Sequence, residues 1–126
     1  MSDCLPAVID RYVSAYNARD VDAMLECLDE SIEFQNTSEG EGNASAHNKA
    51  EFRELAIAAL ELFSSRKQEI IEFITVGPFT TARVSFLAMA AVDIPNGPTA
   101  GAILQLSGTS LFEIKDNKIV RLIDES

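Results

Sequence analysis

After Ser64-Ser65 the hydrophobic period of this chain changes from mainly helical to two, and that change dictates its architecture. Before it, apolar residues recur at helical spacing; after it they alternate. Leu5, Val8, Ile9, Tyr12, Val13 and Tyr16 form a first stripe behind Asp3 as a cap. Asn17-Ala18-Arg19 interrupts it, and Asp20 then has the position of an N-cap for a short second helix whose apolar face is Val21, Met24, Leu25 and Leu28. A third helix begins near Asn48 with Phe52, Leu55, Ala56, Ala59 and Phe63 on one side. Ile57, Leu60 and Leu62 widen that stripe, so burial on more than one face is expected.

Beyond the switch, strand-like runs cover about 67–76, 80–93, 101–114 and 118–124, each bounded by turn residues. Gly77-Pro78, Pro95-Asn96-Gly97-Pro98 and Asp116-Asn117 separate them. Consecutive hairpins predict an antiparallel, curling sheet. One further strand is predicted at about 31–35, where Ile32 and Phe34 alternate with polar neighbours. The residues that follow, up to His47, are small, acidic or amide and read as a loop. With 126 residues, no internal repeat and no linker, the chain is expected to form one α+β domain spanning 1–126.

Both faces of the predicted sheet carry apolar residues. One side of 101–114 holds Ala102, Leu104, Leu106, Gly108, Ser110, Phe112 and Ile114, and one side of 80–93 holds Val84, Phe86, Ala88 and Ala90. These should pack on the helices. The opposite side presents Leu87, Met89, Ala91, Ile103 and Leu111, a patch that would be left wet in a monomer. A homodimer through the outer face of the sheet is the expectation.

Twenty acidic against ten basic residues give a net charge of −10, which disfavours phosphate backbones and anionic lipid as partners. No nucleic acid and no membrane partner is expected. "MSDCLPAVIDRY" has neither the basic start nor the apolar run of a signal peptide, and no stretch approaches the roughly 20 apolar residues of a membrane span. A cytoplasmic location is expected, with Cys4 and Cys27 as reduced, packed thiols and without metal-ligand spacing. Asn36-Thr37-Ser38 and Asn43-Ala44-Ser45 match the glycosylation acceptor, read here as chance matches. No phosphate loop, nucleophile elbow or zinc pattern occurs, and no cofactor is expected.

The order helix, short helix, strand, loop, helix and four antiparallel strands resembles the nuclear transport factor 2-like superfamily. "RYVSAYNARDVDAMLECLDESIEF" is similar to the opening of ketosteroid isomerases and SnoaL-like polyketide cyclases, and "GTSLFEIKDNKIVRLIDES" to their closing hairpin. The resemblance covers nearly the whole chain. It implies a cystatin-like, cone-shaped roll: three N-terminal helices packed on a curved, mainly antiparallel sheet, with a ligand pocket in the mouth and usually a homodimer. It leaves the activity open, since that fold hosts isomerases, cyclases, dehydratases, hydrolases and binding domains.

Carried over by position, the isomerase's oxyanion-stabilising tyrosine falls on Tyr12 and its second oxyanion donor on Ser110. Its basic aspartate falls on Asn36, whose amide cannot take a proton from carbon at neutral pH. His47, the only histidine, is a candidate replacement base, with Glu39 and Glu41 as loop carboxylates. The ligand-lining set expected from the resemblance and the apolar pattern is Tyr12, Tyr16, Phe34, Asn36, Phe52, Phe63, Phe86, Ser110 and Phe112. Three readings stay open at this point. The cone binds a small, largely apolar molecule without catalysis; or it is an isomerase, cyclase or dehydratase using Tyr12 with His47 or a loop carboxylate; or it is a structural dimerisation domain.

Overall fold

A computed structural model describes residues 5–38, 41–94 and 97–126. Asp3, Cys4, Glu39 and the Pro95-Asn96 half of one predicted turn lie outside the described residues, as do the side chains of residues 38 and 41–43. The elements run α1 (Ala7–Asn17), α2 (Val21–Glu26), β1 (Leu28–Ser38), β2 (Glu41–Ala46), α3 (Lys49–Leu62), β3 (Phe63–Val76), β4 (Phe79–Ala90), β5 (Ile103–Lys115) and β6 (Lys118–Glu125).

Local chemistry sets the helix starts. The Asp20 carboxylate accepts the Ala23 N–H at 3.1 Å, and the Asn48 amide oxygen accepts the Glu51 N–H at 2.8 Å. Glu51 in turn accepts the His47 N–H, a variant of the reciprocal capping box shifted by one residue. The expected caps Asp20 and Asn48 are present, but the cap position of the first helix is taken by Pro6 and not by Asp3. Pro6 precedes α1, and its carbonyl takes the Ile9 and Asp10 N–H groups.

Six strands form one open, mixed sheet in the order β2-β1-β6-β5-β4-β3. All neighbours are antiparallel except β1 and β6, which run parallel. The 36–47 stretch differs from its reading as a loop: β1 continues to Ser38, and β2 folds back on it with Asn36 opposite Ala44. Glu-Gly-Asn-Ala-Ser-Ala carries no β-branched or aromatic residue, so the pairing owes nothing to propensity. The pre-existing edge of β1 templates it. β1 also begins earlier than expected, at Leu28, and β3 follows α3 without a break.

Bulges curl the sheet around the helices. Register steps leave Ser64 and Ile71 unpaired on β3, and Val120 on β6. Asp116 and Asn117 both take positive φ, 52° and 65°, which the tight β5–β6 hairpin needs. The α1–α2 turn is fastened to the start of β3: the Asn17 amide donates to the Gln68 carbonyl and accepts its N–H, while Arg19 donates to the Leu60 and Phe63 carbonyls.

The core fills the closed end of the cone. Val8, Ile9, Leu28, Ile32, Phe112, Ile119 and Leu122 are fully buried there, joined by Met24, Phe52 and Ala56. Along β5 the inward residues grade from the buried core (Phe112), through Ser110, to Leu106 at 48% exposure. That gradient marks where the cone stops being solid.

Candidate functional site

Above Phe112 the cone holds a cavity of about 520 Å³, within the usual range for small-molecule sites. Its walls come from α1 (Tyr12, Tyr16), the β1–β2 hairpin (Phe34, Asn36, Ala44), α3 (Phe52, Leu55, Ala59) and the inward face of the sheet (Phe63, Phe86, Ser110). Aromatic rings meet edge to face along these walls, Phe34 on Phe52 at 5.1 Å and Phe63 on Phe86 at 5.8 Å between centroids.

The polar centre of this cavity is Asp124. It lies near the end of β6, paired with Asn36 on one side and Ser110 on the other. Cα partners across a sheet point to the same face, so the three side chains stand in a row. The Ser110 hydroxyl donates to Asp124 Oδ1 at 2.6 Å. Protein surrounds the carboxyl except where it opens to the cavity, and this burial pushes its pKa up from 3.8 to about 6, against the lowering effect of Ser110. A close backbone approach seats it there. A Cβ on Gly108 would lie 2.6 Å from the Glu125 carbonyl oxygen, so only glycine lets the end of β6 lie this near β5.

Tyr12 is 4% exposed, edge-on to Phe112 at 6.4 Å. Burial, and then the negative charge of Asp124, raise its pKa well above the usual phenol value. It is a neutral hydrogen-bond donor at any physiological pH. Tyr16 is pushed up to about 12 by burial, which the nearby Arg66 partly offsets. Arg66 itself is only 7% exposed and lines the cavity. Its guanidinium sits 3.8 Å over the Tyr16 ring, and its Nε donates to the Tyr16 carbonyl at 3.3 Å.

The SnoaL-like domain model matches residues 9–122. The chain belongs to the SnoaL-like family. Similar folds occur in a protein of ketosteroid isomerase-like fold from Catenulispora acidiphila, solved in complex with trimethylamine (TM-score 0.79, 10% identity, 96% of this chain and 85% of that one). They occur also in TerC co-crystallised with polyporic acid (0.75, 16%, 94% and 87%) and in an LEH-like epoxide hydrolase of M. tuberculosis (0.73, 14%, 95% and 80%). At these identities the likeness is one of fold. No curated protein matches the sequence.

Within this SnoaL-like cone, eight of the nine residues expected to line a pocket do so: Tyr12, Tyr16, Phe34, Asn36, Phe52, Phe63, Phe86 and Ser110. Phe112 lies one layer deeper, fully buried under Tyr12. His47 is not brought to the cavity. Its side chain is 67% exposed on the outer surface, with Nδ1 2.8 Å from Glu33 Oε1, and that carboxylate raises its pKa. Glu39 and the Glu41 side chain lie outside the described residues.

Sequence reasoning missed Asp124 and Arg66, two of the charged residues that line this SnoaL-like cavity. Strict alternation from the core residue Ile119 would aim Asp124 outward. The extra residue Val120 reverses the phase, so Leu122 and Asp124 point in. A core role for Leu122 was the available signal, since Asp124 shares its face. Arg66 fell outside the predicted strand, and the Ser64 bulge turns it inward. Among the described residues, no cluster of three metal-ligating side chains occurs, and no helix is long and apolar enough to cross a membrane. Cys27 is buried as a free thiol, its Sγ 3.5 Å from the Ala23 carbonyl.

Proposed function

We propose that the cone binds a small, largely apolar molecule bearing a carbonyl group and that Asp124 exchanges a proton with it. The observation that supports this is the buried carboxyl of Asp124, open to the cavity, with a pKa near 6. A carboxylate with this pKa is mostly ionised at neutral pH yet is a stronger base than a solvated one, which suits general acid–base work. Asn36 supplies no base, but its partner on the adjacent strand does.

In the proposed step the Asp124 carboxylate takes a proton from the carbon next to the carbonyl. The electron pair of that C–H bond becomes a C=C bond, and the carbonyl oxygen gains negative charge, which the neutral Tyr12 phenol stabilises by donating a hydrogen bond. Return of the proton to the same carbon gives exchange, and its delivery to another carbon of the conjugated system completes an isomerisation. In a cyclisation the enolate carbon instead bonds to a second carbonyl carbon of the molecule, whose π pair moves to its oxygen and takes the proton; in a dehydration the enolate expels a β-hydroxyl, which leaves as water with that proton. His47 plays no part in it.

The test is hydrogen exchange at carbon. Incubated in D2O with apolar cyclic ketones such as α-tetralone, the protein should accelerate loss of the α-proton NMR signal, and Asp124→Asn should abolish the acceleration. Binding of such ketones with equal exchange in both proteins would leave a pocket without this chemistry.

We also propose that the protein is a homodimer through the outer face of the sheet. Leu87 and Met89 on β4 and Ile103 on β5, opposite Met89, are solvent-facing, Ile103 at 68% exposure. Ile74, Val76 and Phe79 form a second exposed apolar cluster on this face, at the other end of β3 and β4 beyond Ser85 and the Arg83–Glu72 ion pair.

A further inference from the structure

Arg66 is a buried cation without an anion. No carboxylate among the described residues forms an ion pair with it. Of its five N–H groups, Nε–H goes to the Tyr16 carbonyl, and Nη2 has only the weak acceptor Met24 Sδ at 3.9 Å. Nη1 has no hydrogen-bond partner among the described residues, while the side chain faces the cavity. A guanidinium keeps its charge at any accessible pH, so burial cannot be relieved by losing a proton. The Tyr16 ring underneath compensates in part and also fixes the plane of the fork.

This placement is held from several sides. Asn17 clamps the backbone of Gln68, two residues on, and Arg19 ties the preceding turn to α2's approach. The Arg66 head is itself held by Tyr16, and swinging it out to solvent would break both its bond to the Tyr16 carbonyl and its stack on the ring. The acidic surface of the chain makes the contrast sharper: a protein of net charge −10 keeps one of its ten basic residues inside the cone.

We propose that Arg66 is the anchor for a carboxylate on the ligand, so that the molecule bound in the cone is an apolar ring acid. Its carboxylate meets the open side of the guanidinium, and its ring body lies against Phe63 and Phe86. The opposite end then faces Tyr12 and Asp124. A planar, two-oxygen anion matches the Arg fork. Asp124 would repel an anion placed next to it, which orients the acid group toward Arg66 and away from β6. The proposal rests on the cone being a ligand pocket but not on proton transfer by Asp124.

The experiment compares 2-naphthoate with its neutral isostere 2-naphthamide by calorimetric titration at pH 7. The wild type should bind the acid about tenfold more tightly than the amide, the scale of a charge-assisted hydrogen bond. Arg66→Met should erase that preference, Arg66→Lys should keep part of it, and Lys67→Met, which removes a surface charge on the next residue, should leave it intact. Equal affinity for acid and amide in the wild type overturns the proposal while sparing the pocket. Lack of binding by either probe overturns it as well. If Arg66→Met does not fold, the wild-type preference and its survival in Lys67→Met decide. Asp124→Asn, which leaves Arg66 in place, should retain the acid preference even if carbon-bound protons never exchange.

Discussion

Ser110 on β5 donates its hydroxyl proton to Asp124 Oδ1 on β6 over 2.6 Å, inside a cavity whose other walls are largely aromatic and aliphatic. The bond joins two antiparallel partners, so the sheet register itself sets the distance. Removing the hydroxyl leaves a buried carboxylate short of one donor. Ser110→Ala should lower stability at neutral pH by about 1–3 kcal/mol, measured by urea unfolding. Because Ser110 lowers the Asp124 pKa, the variant should also hold the Asp124 proton to higher pH than the wild type does.

Asp124 makes stability depend on pH in an unusual direction. Its folded pKa is about 6 against an ordinary 3.8, so the folded chain holds the proton more tightly than the unfolded one. The associated stabilisation is complete below about pH 4 and is lost as the pH rises through about 6. Relative to Asp124→Asn, the wild type should lose on the order of 2–3 kcal/mol between pH 4 and pH 7.5. Urea unfolding of both proteins at those two pH values checks it; a difference independent of pH would contradict it.

Gly108 sets the spacing of the same pair. In Gly108→Ala the new methyl meets the Glu125 carbonyl at 2.6 Å, and the clash is with backbone, which yields little. The cost should be about 1–3 kcal/mol in thermal or urea unfolding. Retention of wild-type stability would mean that the end of β6 moves freely.

His47 should be silent in the cavity. His47→Gln removes the exposed contact to Glu33 while keeping the backbone bond to Glu51, so the urea-unfolding midpoint should match that of the wild type. Ligand affinity and α-proton exchange should match the wild type. A large loss of either would return His47 to the site.

The proposed dimer predicts a mass near twice that of one chain by light scattering at micromolar concentration. Ile103→Asp should halve it, since a charge at the centre of an apolar contact is left without a partner. A monomeric wild type, unchanged at high salt, would dispose of the interface.

Much of this architecture is legible in the residues. Asp20 and Asn48 announce the second and third helices, and Asp116-Asn117 announces the last hairpin, because caps and tight turns are local chemistry. Resemblance and apolar pattern also place Tyr12 and Ser110 beside a cavity. What stays hidden depends on bulges and on edges. Val120 inverts the faces of β6 and so conceals Asp124, and Ser64 does the same for Arg66. The strand 41–46 is hidden for a different reason, since its small polar residues pair only because an edge is there to receive them.

The proposed chemistry depends on a carboxyl of raised pKa standing in the cavity of the cone. Titration of Asp124 by NMR of the 13C-labelled side-chain carboxyl, assigned with Asp124→Asn, measures that directly. A midpoint near 6 that moves upward in Ser110→Ala is the predicted result. A midpoint at or below the ordinary value of 3.8, unaffected by Ser110, would mean a solvated surface acid and would contradict the account.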